Sequence, residues 1–139
     1  MRKNGLLAWI GVPIIFLGLA AGGLVWAARA FDPCSYELIE EQAAPEGQWN
    51  AVLYTRNCGA TTQMSSNVSL LPPGDAPKGA GNVFTAYATD VALAWEADTH
   101  PVMIIRHDPA VEVFRSETEH EGIAVRYDAP ASQASLSNR

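Results

Sequence analysis

The sequence predicts an N-terminal transmembrane α-helix followed by a small all-β domain, an antiparallel meander, sandwich or barrel-like fold with one disulfide. Three observations carry that prediction. The stretch from Gly5 to Ala28 holds no charged residue. The chain beyond Pro33 alternates apolar and polar residues in short runs between Pro/Gly-rich turns. The only two cysteines, Cys34 and Cys58, lie in that second part at a spacing that suits a hairpin.

The first 30 residues form an anchor. As a helix, residues 5–28 would extend roughly 36 Å, enough for a bilayer core of about 30 Å with some tilt. Trp9 and Trp26 stand near its ends, where indoles favour the two headgroup levels. Arg2 and Lys3 place the N-terminus on the cytoplasmic side. Ala28-Arg29-Ala30 offers signal peptidase an A-x-A pattern, but the apolar stretch exceeds the ~7–15 residues of a cleaved signal's core, which favours a retained signal-anchor. Phe31-Asp32-Pro33 before Cys34 lacks the small and aliphatic residues that lipoprotein processing requires. Pro13 is placed to kink the helix, and Gly18 and Gly22 form a GxxxG that permits close packing with a second helix. Either reading of the N-terminus exports residues 31–127 as a β-rich domain, with 128–139 as a flexible tail.

The strands follow in order. Residues 36–44 and 48–57 form a hairpin around Pro45-Glu46-Gly47, with Pro at the first loop position and Gly at a left-handed one. NVSLL (67–71) and NVFTAY (82–87) are short strands on either side of the Pro/Gly-rich loop 71–81. Residues 90–98 alternate Val91, Leu93 and Trp95 with polar or small neighbours, PVMII (101–105) reads as a buried strand, and the alternation returns at Val111 and Val113 and at Ile123, Val125 and Tyr127.

Cys34 and Cys58 are expected to be bonded to each other. An exported chain with an even number of cysteines defaults to a disulfide. In the hairpin just described, opposed residues sum to 92, pairing Ala44 with Gln48, Leu38 with Tyr54 and Cys34 with Cys58. The competing reading, a Cys58 nucleophile activated by Arg56 on the same strand face or by a histidine, requires a free thiol. Gly59 then follows the bridge, and Ala60-Thr61-Thr62 reads as a tight, partly buried turn whose hydroxyls bond to backbone.

The order of motifs resembles a family of small bacterial envelope proteins of uncharacterised function. It consists of an early cysteine (Cys34), a P-x-G-x-x-x-A-V hairpin (Pro45 to Val52), C-G-A-T-T (Cys58 to Thr62), V-S-L-L-P (Val68 to Pro72), G-N-V-F (Gly81 to Phe84) and a strand ending in Trp (Val91 to Trp95). The resemblance covers about residues 34–127 and implies an exported domain with these two cysteines; it brings no activity. The chain departs from the lipoprotein members in having an apolar span and no lipobox.

The remaining chemistry-bearing residues give weak signals. His100, His107 and His120 are spaced unlike any zinc motif. Glu112, Glu117, Glu119 and Glu121 are read as a solvated edge that discourages aggregation rather than as paired catalytic carboxylates. Asn67-Val68-Ser69 fits a glycosylation sequon. The exported part carries six basic and fifteen acidic residues, a balance of −9, which disfavours nucleic acid and anionic lipid headgroups. No catalytic, cofactor-binding or metal residue is assigned. The expected protein is a single-pass protein of the bacterial inner membrane, tethered to the bilayer by residues 5–28, whose periplasmic β-domain binds an envelope protein or other ligand. The alternative is an envelope hydrolase using histidine and carboxylate residues.

Overall fold

The structure is a computed structural model that describes residues 4–97 and 99–130, with the side chains of 4–11 and 28–30 excepted. Arg2, Lys3, Trp9, the Ala28–Ala30 pattern and residues 131–139 of the expected tail therefore lie outside the described side chains. The chain divides into two compact units, Met1–Pro33 and Cys34–Arg139.

The first unit is one helix, α1 (Asn4–Ala30), which continues through Pro13 as a single element. It stops three residues short of Pro33, and the Phe31 amide still donates to the Ala27 carbonyl at 3.1 Å. Ile14, Phe16, Leu17, Leu24 and Trp26 are all exposed. Among the described residues no helix is long and apolar enough to cross a membrane.

The second unit is a β-sandwich with nine strands among its described residues: β1 (Ser35–Ala43), β2 (Asn50–Asn57), β3 (Ser65–Leu71), β4 (Phe84–Ala86), β5 (Ala92–Ala97), β6 (Pro101–Arg106), β7 (Val113–Ser116), β8 (Glu119–His120) and β9 (Ile123–Asp128). One sheet has the order β1-β2-β3-β4-β7 and the other β5-β6-β9-β8. Ala51, Leu53, Val68, Leu70, Phe84 and Ala86 from the first meet Leu93, Met103, Ile105, Ile123 and Val125 from the second in one core. The inward residues alternate along each strand, as a sheet with one face on the core requires. The sandwich is stitched along both sides. The Trp95 indole donates to the Gln42 carbonyl at 3.1 Å and the Gln42 amide to the Leu93 carbonyl at 3.2 Å, joining β1 to β5. On the far side the Tyr127 hydroxyl lies 3.0 Å from the Val83 carbonyl and 2.7 Å from that of Glu117.

Three details differ from expectation. First, β6 and β9 run parallel, because the chain leaves β6, crosses to pair β7 with β4 in the other sheet, and only then returns. Parallel neighbours need such a long crossover. Second, the hairpin loop has four residues rather than three. Ala44 closes it opposite Trp49 (N–O 2.7 Å), with the Gly47 amide on the Ala44 carbonyl at 2.8 Å. Opposed residues therefore sum to 93 from Glu40 to Ala43, and a bulge at Ile39 restores 92 from Leu38 to Ser35. Leu38 does face Tyr54, whereas Ala44 does not face Gln48. Third, Asp128, expected at the start of the tail, ends β9, where its carbonyl accepts the His107 amide at 3.1 Å.

Candidate functional site

Cys34 and Cys58 are bonded to each other, with Cα atoms 4.0 Å apart. The bridge stands where the restored register places it, one pair beyond Ser35 and Asn57. Both cysteines are thus consumed in a structural bond, and Cys58 is no thiolate. The turn that follows is exposed rather than partly buried. It is held by the Thr62 amide on the Gly59 carbonyl (3.1 Å) and by the Gly59 amide on Asn57 Oδ1 (3.1 Å), an Asx-type closure in place of the expected threonine bonds.

Beyond this turn lies the outer face of the five-stranded sheet, the face turned away from the core. One end of it is covered. Residues 72–83 fold back over β3, and their backbone is satisfied by strand side chains. Asn67 Oδ1 accepts from the Gly81 amide and the Thr85 hydroxyl, each at 3.0 Å. The Asn82 side chain pairs with both the amide and the carbonyl of Leu70 at 2.8 Å, filling the place of an absent strand neighbour. The Tyr54 hydroxyl lies 3.2 Å from Ser69 Oγ and 3.2 Å from the Gly79 carbonyl, and the Gly79 amide donates to the Tyr36 hydroxyl at 3.0 Å. Burial raises the pKa of Tyr54, with Ser69 and Arg56 opposing. Asn67 is fully buried and spent in this network, so the sequon is no glycan site.

The other end of the same face is open. Register pairs Arg56 with Ser65 and Asn67 with Thr85, so Arg56, Ser65 and Thr85 lie on one face across three strands. They floor a hollow of about 180 Å³, walled on one side by Cys58, Thr62 and Gln63 and on the other by Tyr87 and Phe114. Those two rings meet edge to face, with centroids 4.6 Å apart, and Phe114 is half exposed. Among the described residues no carboxylate lines the hollow. The Arg56 Nε is buried with no hydrogen-bond partner among the described residues; an orphaned donor on a charged group carries a penalty of roughly 1–3 kcal/mol or more.

A second hollow of about 180 Å³ brings together His100 and Glu121 with Glu46 and Trp49. Glu121 is the one described non-glycine residue with positive φ (50°). With Gly122 (82°) it makes the two-residue turn from β8 to β9. His100 bonds to neither carboxylate among the described residues. The other histidines stand elsewhere. His107 packs on Phe84 at 4.9 Å between centroids and places Nδ1 2.9 Å from the Asp108 carbonyl. His120 packs edge-on to Trp49 at 6.0 Å and lies 3.3 Å from the Asn82 amide nitrogen. Among the described residues no three His, Cys, Asp or Glu side chains are grouped to hold a metal.

Sequence reasoning placed Arg56 beside Cys58 but missed the rest of the open hollow. Its members come from residues 56 to 114, and the polar alternation of β3 was the sole available signal of a polar outer sheet face. Fold and site together define a helix-led, disulfide-closed β-sandwich with an open hollow on one outer sheet face. No protein-family model, curated protein or solved structure matches the chain.

Proposed function

We propose that the protein is a membrane-tethered binding module of the bacterial envelope, with α1 as a retained single-pass anchor and the β-sandwich presented on the extracytoplasmic side. The observation that carries the binding reading is the open hollow around Arg56. It has a floor on three strands that carries one guanidinium, with an aromatic wall beside it, which equips it for recognition. Support for the tether comes from the 24 uncharged residues of Gly5–Ala28, all within one helix, whose exposed apolar side chains call for a non-aqueous cover. The disulfide fits an oxidising compartment. The likeness of the C-G-A-T-T and G-N-V-F motifs to envelope proteins points the same way.

The test has two parts. A periplasm-active reporter fused after Arg139 gives signal in the membrane fraction if the topology is right; signal from a cytoplasm-only reporter rejects it. In-membrane crosslinking followed by pull-down then recovers a specific partner with the native chain and loses it with Phe114→Ala. The second reading, an envelope hydrolase, rests on the His100, Glu46 and Glu121 hollow. It requires an ester or glycoside turnover that His100→Ala and Glu121→Gln each abolish.

A further inference from the structure

The hollow on the outer sheet face combines three things: one guanidinium, a set of neutral hydroxyl and amide groups, and an aromatic wall. From this combination we propose that the Arg56 hollow binds a carboxylate attached to a single apolar side-chain-sized group, as at a peptide C-terminus or in a small organic acid. The proposal rests on the binding-module reading and names the ligand class for it.

Among the described residues Arg56 is the sole charged one lining the hollow, and it takes part in no ion pair there, the pairs belonging to Arg126 with Glu96 and Asp128. A planar guanidinium matches a carboxylate with two parallel hydrogen bonds; because the Arg56 Nε is itself buried, those bonds fall to the two terminal nitrogens. A dianionic phosphate fits poorly. It would want a second cation, none lines the hollow, and the exported part as a whole carries −9. The neutral rim supplies what a bound carboxylate still needs. Ser65 on the floor and Gln63 on the wall carry donors for the remaining lone pairs, while the Thr85 proton is already given to Asn67.

A volume of about 180 Å³ is below the ~300–1,000 Å³ of sites for drug-sized ligands. It admits one residue's worth of ligand. The half-exposed Phe114 ring, braced edge-on by Tyr87, offers that residue an apolar face. The floor is rigid, because Thr85 is held by Asn67 and Asn67 by Gly81, so the hollow is preformed.

The experiment titrates the full-length chain, kept in mild detergent, with N-acetyl-phenylalanine, with its uncharged amide and with an acetylated hexapeptide ending in free phenylalanine, following backbone amide NMR signals. The expected result is saturable shifts at Ser65, Thr85 and Phe114, with the acid bound at least about 10-fold more tightly than the amide, as one charge-assisted pair warrants. Arg56→Gln abolishes that preference and Arg56→Lys keeps part of it. Phe114→Ala, a change at an exposed ring that the fold tolerates, weakens both ligands. A hexapeptide that outbinds the single amino acid assigns the ligand to protein C-termini; equal binding assigns it to small acids. Acid and amide binding alike, with Arg56→Gln silent, overturns the carboxylate proposal while Phe114→Ala still tests the binding face. No shift with any probe also overturns it, and the crosslinking result then decides the module reading separately.

Discussion

At position 81 a Cβ would stand 2.1 Å from the Phe84 carbonyl oxygen and 2.6 and 2.8 Å from the oxygen and nitrogen of Val68. All three atoms are backbone, so none can swing aside. The glycine is there for space, since the next residue, Asn82, has to reach Leu70 with both ends of its amide. Gly81→Ala should therefore destabilise the β-unit by about 3 kcal/mol, the upper range for overpacking, read as a fall in thermal midpoint of more than 10 °C. Gly47, also in a loop, has open space around its Cβ position but a φ of 73°, so it is kept by conformation instead. The motif G-N-V-F was visible as a pattern; the crowding that requires its glycine was not. Nor could the sequence tell a buried Asn67 from a glycan acceptor, because nothing local to Asn67 announces that residues 72–83 will fold over it.

The β1–β2 hairpin was the most legible element. Its turn residues, its strand propensities and the spacing of its cysteines all agree. The expected disulfide formed even though the loop is one residue longer than expected, because the Ile39 bulge absorbs the difference before the bridge. In the chain-entropy account, closing this loop stabilises the fold by about 3 kcal/mol. Cys34→Ser and Cys58→Ser should each lose about that amount, and the double variant should be little worse than either, because all three remove one bond. Thermal melts of the four proteins check this, and two alkylatable thiols in native protein would sink it. β9 was equally legible, with Ile123 and Val125 buried and Ala124 and Arg126 exposed, because one face of the strand meets the core. β8 was not. It has two residues, both polar, and exists only because the Glu121-Gly122 turn folds it against β9. The parallel pairing of β6 with β9 is set by a crossover through the other sheet, which no periodicity encodes. The Arg56 hollow was hidden for the same reason: its floor is made by pairing between three strands.

For the molecule as a whole, the Tyr127 hydroxyl ties the second sheet to the carbonyls of Val83 and Glu117, which flank β4 and β7 of the first. Burial, with a smaller contribution from Glu117, pushes its pKa from 10.0 up to about 12. A group that holds its proton more tightly when folded contributes fully below its unfolded pKa and loses that contribution as pH rises to the folded value. Stability should thus hold to about pH 10 and fall from there to about pH 12. Tyr127→Phe should flatten that fall while lowering stability at neutral pH. Denaturant titrations across the alkaline range measure both.

β1 lies at the end of its sheet, a position from which strands recruit neighbours from other molecules. Two devices blunt it here. Glu37, Glu40 and Glu41 line the strand, and the Ile39 bulge bends its ladder out of regular repeat. The bulge carries one residue more than the pairing needs, so deleting Ile39 should leave Leu38 opposite Tyr54 and Cys34 opposite Cys58. The bridged monomer would fold as before but with a straight edge. Light scattering should then show concentration-dependent clustering that the native chain lacks. If the chains are confined to a membrane plane, where local concentration is high, that single extra isoleucine works as a spacer against self-association.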